Sequence, residues 1–254
     1  MMRPALLFTF FLSGVLLNSL PQSGSGAPEG SGAPSDGKIT ASAVWQTPQD
    51  FITKAHLACD KSMNPASFTE CFINQMSSAG APADAVRFTR MLYQHNGGLV
   101  GIMTAFKVYG PVDAAQVLYP QRANDNYALL LVNGDPKLID VDDLQKLDQH
   151  AMEDDPMFQL AKKQYPQIDM WPGDRSGSSP WPRVQPLSGG GAEFIVNYPV
   201  LNGCHACQRV GQARYGWEFD STGKFLRTVY VSAPLAPRSL THQHNPPPQS
   251  APQQ

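Results

Sequence analysis

Gln212 to Phe219 reads QARYGWEF. Ala213, Tyr215, Trp217 and Phe219 alternate with Gln212, Arg214, Gly216 and Glu218, a period of two that puts the apolar set on one face and the polar set on the other. This predicts a half-buried antiparallel strand. Downstream, Asp220-Ser221-Thr222-Gly223 supplies turn residues and Lys224 to Val231 (KFLRTVYV) returns. Upstream, Ala192 to Leu201 can pair as a third strand, so the C-terminal part of the chain reads as a β-meander.

Moving outward, Tyr127 to Val132 (YALLLV) and Leu138 to Val141 flank Asn133-Gly134-Asp135-Pro136, a hairpin signal. Leu99 to Tyr109 is rich in strand-favouring residues, and Val117 to Tyr119 reads as a short strand. Two short helices are expected, Asp142 to about Met152 and then Pro156 to Tyr165, the second capped by Asp155. Pro166 to Gly191 is rich in Pro and Gly and carries Trp171 and Trp181. A loop of that length is usually functional, and two indoles are an expensive way to fill a connection. The rings either pack on the Tyr215 and Trp217 face or anchor a partner.

The residues before Leu99 carry a helical period. Thr47 and Pro48 suit a helix start, with Asp50 in the first turn and Phe51, Ile52, Ala55, Ala58 and Cys59 on one stripe. Asn64 and Pro65 open a second helix with Phe68, Cys71, Phe72, Met76 and Ala79. Pro82 opens a third, with Ala85, Phe88, Met91, Leu92 and His95 facing inward. None is long enough to stand alone, so each must lend its stripe to a shared core. The fold class is therefore α+β: an N-terminal three-helix segment packed on an antiparallel β-sheet, with a C-terminal β-meander.

Both ends differ in kind from this middle. Arg3 followed by Ala5 to Leu20 (ALLFTFFLSGVLLNSL), then Pro21 and small residues, reads as a signal peptide over residues 1–23. An apolar run of 16 residues is short for a membrane span, so no span is expected after its removal. Residues 24–43 read as a Gly/Ser/Pro-rich linker without the apolar spacing needed to dock. Residues 232–254 form a Pro/Gln-rich tail, leaving 44–231 as one domain. The predicted location is exported, either periplasmic or secreted.

Composition removes several function classes. With 42% hydrophobic residues and 19 Lys plus Arg against 21 Asp plus Glu, the chain is too apolar for a disordered protein. It is also too neutral for a nucleic-acid binder, which needs cations to displace counterions from phosphates. GxSxG, HExxH, phosphate-cradling glycine loops and the dinucleotide fingerprint are missing from the sequence, so no cofactor is expected and no catalytic residue can be named.

Four cysteines in an exported chain read as two disulfides. Cys59 and Cys71 fall on inward stripes of consecutive helices; closing that loop of 13 residues is worth roughly 3 kcal/mol in the chain-entropy account. Cys204 and Cys207, in Cys204-His205-Ala206-Cys207, staple a hairpin tip. Two sharper readings attach to that tip. It could be a thiol redox centre with His205 tuning a thiolate. Alternatively Cys204, His205 and Cys207 bind a metal, with His56, His95 or His150 completing the set.

Other clusters are weaker. Asp140, Asp142 and Asp143 lack the Gly and distal Glu of a calcium loop, and Asp142 and Asp143 read as caps of the following helix. Pairs such as Asp113 with Asp125, or Asp169 with Asp174, cannot be ranked without distances. His242-Gln243-His244 sits in the tail. Residues 135–155 carry a local charge of -6 and residues 204–238 a local +3. The expected function is a non-catalytic binding module of the cell envelope. It would present Trp171, Trp181, Arg209 and Arg214 to an envelope protein or glycan; the alternative is a redox or metal-binding protein centred on the Cys204 to Cys207 tip.

Overall fold

YALLLV forms strand β3 (Tyr127–Val132), and its unbroken apolar run has a structural cause. Leu129 and Leu131 point into one hydrophobic core while Ala128, Leu130 and Val132 point into another. A strand buried on both faces has no solvent side to carry polar residues. In the computed structural model, which describes residues 37–59, 64–96, 98–122, 126–173 and 180–233, β3 is central in an antiparallel sheet of order β1-β2-β3-β4. Its neighbours are β1 (Ile102–Lys107), β2 (Asp113–Leu118) and β4 (Leu138–Asp140). The signal peptide, the linker as far as residue 36, and the tail from 234 onward with His242 and His244 lie outside the described residues, as do Asp125 and Asp174.

One face of this sheet carries the three expected helices: α1 (Phe51–Ala58), α2 (Pro65–Ser78) and α3 (Ala83–His95). Phe88 and Leu92 of α3 meet Met103, Val117 and Leu130 of the sheet. Behind them, Phe51, Ala55, Phe68, Phe72 and Met76 form a helical core with Trp45. Asn64 caps α2 as its sequence implies, its side chain accepting from the Ser67 N–H at 3.0 Å. α1 starts at Phe51, later than Pro48 suggests, because residues 49–50 form a turn and the cap is Asp50. α3 approaches β1 closely at Gly101, where a Cβ would lie 2.4 Å from Leu92 and 2.6 Å from Val117.

The other face of the first sheet meets a second one, built by the meander. β7 (Ala192–Asn202), β8 (Arg209–Phe219) and β9 (Phe225–Ser232) run antiparallel in that order. Ala213, Tyr215, Trp217 and Phe219 of β8 are buried against Ala114, Leu129 and Leu131, as the alternation requires. Met152 of α4 (Gln149–Glu153) and Phe158 and Ala161 of α5 (Pro156–Gln164) fill the same core. Asp155 caps α5 as expected, accepting from Met157 N–H at 2.7 Å. The helix expected over 142–152 is instead a 3-10 turn (Leu144–Lys146) followed by the short α4, because Asp143 and Asp148 each cap a separate segment.

Two features tie the sheets together. Trp217 Nε1 donates to Tyr198 Oη at 3.1 Å, and that hydroxyl donates to the Val141 carbonyl at 2.7 Å. The β3–β4 turn and the β8–β9 turn abut: Asp135 N–H donates to Gly223 O at 2.9 Å and Phe225 N–H to Asp135 O at 2.7 Å. Gly134 is required there, since a Cβ would stand 2.6 Å from the Gly223 carbonyl oxygen.

Three boundaries differ from expectation. Pro166 to Gly191 contains two short strands, β5 (Ile168–Met170) and β6 (Arg183–Pro186), both paired along one edge of β7. Ser232 belongs to β9 and Ala233 is buried, so the packed chain runs slightly past 231. The largest correction is at the linker. Ile39 and Ala43 are buried in the core beneath α3, although residues up to 43 lack an apolar period. Ile39 docks through its backbone: its N–H donates to Asn133 Oδ1 at 2.7 Å and its carbonyl accepts from Asn133 Nδ2 at 2.8 Å.

Ile39 burial and these two hydrogen bonds are together worth roughly 3 kcal/mol. A chain beginning at residue 44 is expected to melt about 10 °C below one beginning at residue 24. Equal melting temperatures in calorimetry would show that the 38–43 segment contributes nothing.

Candidate functional site

The structure places the sequence-selected residues in four separate regions. Cys59 and Cys71 are bridged across the α1–α2 hairpin, with Cys59 fully buried. Cys204 and Cys207 are bridged at the exposed tip of the β7–β8 hairpin. With both sulfurs in a disulfide, neither is a free thiolate or a metal ligand in this state. His205 turns toward Trp171, ring to ring at 5.6 Å and edge on. His56 lies against Phe68 and Phe72. His150 is exposed and 3.6 Å from Glu153. No group of three or more His, Cys, Asp or Glu gathers as metal ligands among the described residues.

Trp171 and Trp181 are both half-buried. Trp171 follows β5 and donates its backbone N–H to Pro199 O at 2.9 Å; Trp181 precedes β6 and packs on the core between the sheets. β5 pairs with Val200–Asn202 and β6 with Ala192–Ile195, and the antiparallel registers carry Trp171, after β5, level with Pro199 and Trp181, before β6, toward Asn197 along the same edge of β7. Only Trp181 belongs to the core between the sheets. Arg209 bonds locally to the Gly211 carbonyl and the Gln212 side chain, and Arg214 lies on the outer face of β8 opposite Asn197.

A site that the sequence does not announce lies where α3, β4 and the β2–β3 connection meet. A cavity of about 320 Å³ is lined by His95, Asn96, Leu99, Arg122, Leu138, Asp140, Asp143 and Lys146. His95 is exposed at the end of α3 and faces this cavity, where the helical stripe predicts an inward residue; the helix ends there, and no sheet surface remains to cover the ring. Arg122 lies over the Tyr119 ring, 3.9 Å from its centroid, which fixes the guanidinium plane. Tyr119 is itself buried and accepts a hydrogen bond from Asn96 Nδ2. Burial, followed by the charge of Asp140, pushes the Tyr119 hydroxyl above its ordinary range, so it stays protonated.

Asp140 terminates the edge strand β4. Its Oδ1 accepts from the Asp142 N–H at 2.9 Å, and its Oδ2 is 3.7 Å from the Arg122 guanidinium, too far for a hydrogen bond. Among the described residues no acceptor engages the Arg122 guanidinium and no donor engages Asp140 Oδ2. Burial, followed by the neighbouring charge of Asp142, raises the Asp140 carboxyl to about 6; Arg122 and Lys146 only partly offset this. Lys146 is held 3.1 Å from Asp143. Asp143 acts as a cap, as read from the sequence, accepting from the Gln145 N–H, whereas Asp140, outside the helix-cap reading, holds the turn at Asp142 and faces the cavity.

The cavity continues beyond Leu99. An adjoining cavity of about 500 Å³ is lined by His56, Pro65, Phe68, Gly98, Leu99, Pro120 and Gln121, mostly carbon. Leu99 lines both, and Pro120 and Gln121 lead directly into Arg122. The two adjoin at Leu99, one lined largely by charged side chains and the other largely by carbon, a combination common in small-molecule sites.

Comparison with known protein families, with curated protein sequences and with solved structures finds no match. The function must therefore be argued from the cleft itself.

A carboxyl raised to about 6 is disfavoured as an anion in the folded chain. The folded and unfolded forms are both protonated well below pH 4, so no cost exists there; the cost grows between about pH 4 and 6 and is complete at neutral pH. Asp140→Asn keeps the acceptor for Asp142 N–H and removes the charge. It is expected to raise the melting temperature by about 5 °C at pH 8, corresponding to roughly 2 kcal/mol, and by less than half of that at pH 4.5. A melting difference that is the same at both pH values would contradict this.

Proposed function

We propose that this chain is an exported, disulfide-stabilised and non-catalytic binding module whose ligand enters the cleft between α3, β4 and the β2–β3 connection. The observation that carries the reading is the pair Arg122 and Asp140, side by side at 3.7 Å with hydrogen-bonding capacity left open toward a cavity. The two side chains are partly exposed, 26% and 17%, at the cavity rather than sealed in the core, so a ligand entering there meets both charges. The apolar leader Ala5 to Leu20 and the two disulfides support export.

The same cleft is poor in nucleophiles. Its described lining holds no hydroxyl or thiol nucleophile, and its second carboxylate, Asp143, is occupied by Lys146. Binding is therefore favoured over turnover.

A small-molecule library screened against the full chain is expected to yield compounds that raise the melting temperature. A ligand present at 100 times its dissociation constant adds about 2.7 kcal/mol. The shift should be lost in Arg122→Gln and kept when Cys204 and Cys207 are both replaced by Ser, and the ligand should be recovered unchanged. Conversion of the ligand, or a shift indifferent to Arg122→Gln, would defeat the reading. Residues 1–36 fused to a phosphatase that is active only after export should give activity, lost on Leu6→Arg with Leu7→Arg.

One observation favours a second contact. Trp171 Nε1 is buried without a hydrogen-bond partner among the described residues, beside His205 and next to the exposed disulfide. A partner protein or glycan that supplies an acceptor there would complete it. In that case Trp171→Phe weakens partner capture while Trp181→Phe, a core change, lowers stability instead; equal loss from both would place the contact elsewhere.

A further inference from the structure

Resting on the cleft reading above, we infer that the ligand is a free α-amino acid with an apolar side chain. Its ammonium would sit on Asp140, its carboxylate on Arg122, and its side chain would cross Leu99 into the cavity lined by Pro65, Phe68 and Pro120.

The inference starts from charge. Arg122 and Asp140 are opposite in sign, 3.7 Å apart, and each has capacity to spare. A simple anion would satisfy Arg122 but stand against Asp140; a simple cation would satisfy Asp140 but stand against Arg122. Either leaves one charge facing its own sign, which is how sites reject the wrong partner. A ligand carrying both signs one carbon apart matches both protein groups at once. α-Amino acids have this arrangement, whereas extended dipoles, such as a peptide with separated ends, do not.

The surroundings favour the same orientation. α3 is a helix of 13 residues whose C-terminal end, at His95 and Asn96, lines the charged cavity, so its partial negative charge supports an ammonium on that side. Arg122 is fixed in plane by Tyr119, which suits a planar carboxylate that can take two parallel hydrogen bonds. Lys146, the other cation, is already committed to Asp143, so the charged end does not become a general anion trap.

The apolar end sets the side-chain class. Pro65, Phe68, Leu99 and Pro120 offer carbon, and no charged carboxylate, Lys or Arg joins His56 and Gln121 among the described lining residues. His56 is held against Phe68 at 5.7 Å between ring centroids. A charged side chain placed there would lose hydration without a partner, whereas phenylalanine or leucine would bury its side chain favourably.

Calorimetric titration of the full chain tests this with phenylalanine, leucine, glycine, N-acetylphenylalanine and phenylalaninamide as the probes. Phenylalanine or leucine should bind, glycine at least tenfold more weakly, and capping either end should also cost at least tenfold. Asp140→Asn should weaken phenylalanine without changing N-acetylphenylalanine, and Arg122→Gln should weaken phenylalanine without changing phenylalaninamide; thermal melts confirm that both variants fold. If N-acetylphenylalanine or phenylalaninamide binds as tightly as phenylalanine, the site reads a single charge and the inference is overturned, while sensitivity to Arg122→Gln would still uphold the cleft as a binding site. If no amino acid binds, the inference is overturned outright, and the library screen separately decides whether the cleft binds anything.

Discussion

A carboxylate with no solvent exposure organises the fold. Asp113 opens β2 with none of its surface in water. Burial alone would raise its carboxyl, but it accepts from the Tyr109 N–H at 2.9 Å, the Asn133 amide at 2.8 Å and the Gly110 N–H at 3.3 Å, with Lys38 at 3.2 Å, and these hold it below the ordinary carboxylate range. A desolvated charge that lost any of these partners would cost several kcal/mol. Four stretches of chain are thereby locked together: the segment at Lys38 and Ile39, the 109–110 loop, β2 and the β3–β4 turn. Asn133 takes a left-handed backbone, φ 71°, and its amide reaches both Asp113 and Ile39. The turn so fixed abuts Gly223 on one side and launches β4 on the other. The position of Asp140 at the cleft is thus set seven residues downstream of the buried knot.

What the sequence revealed and what it concealed follow from how local each signal is. The alternation in Gln212 to Phe219, the run of Tyr127 to Val132 with its Asn-Gly turn, and the Asn64-Pro65 and Asp155-Pro156 caps are short-range patterns, and each has its expected element. β5 and β6 were illegible because three or four residues among Pro and Trp carry no period; they are strands only because the edge of β7 offers backbone partners. Ile39 looked like linker because one apolar residue makes no stripe, and its partner, Asn133, is 94 residues away. The cleft was hidden for the same reason. His95, Arg122, Asp140 and Lys146 come from a helix end, a connection, a strand end and a 3-10 turn, and only His95 and Asp140 could be singled out as ionisable groups worth testing.

The disulfides and the cleft are supported by different parts of the fold. α1 has eight residues and could not persist alone. The Cys59–Cys71 bridge ties its last turn to α2, and so steadies Phe68 and Pro65, which wall the apolar end of the cleft. The Cys204–Cys207 bridge closes the far tip of the meander, where the neighbours are His205 and Trp171 rather than Arg122 or Asp140. Redox change at the tip therefore has no direct contact through which to alter the charged end.

Why the site lies at a rim follows from the layering. The first sheet is covered on one face by α3 and the segment at Ile39, and on the other by the meander, so its central strands β2 and β3 are buried except at their ends, Leu118 and Tyr127. Open polar groups of this sheet therefore gather where strands stop. β4 is an edge strand of three residues, and its last one, Asp140, is the final residue paired with β3, opposite Leu130, before the chain turns away through Asp142 and Asp143. At the same level α3 ends and the chain crosses from β2 to β3 through Arg122, so three terminations converge. Each termination leaves backbone and side-chain groups that regular structure would have consumed. The cleft is what these terminations leave, and the loose Arg122 and Asp140 pair is the part of it on which the proposed binding reading rests.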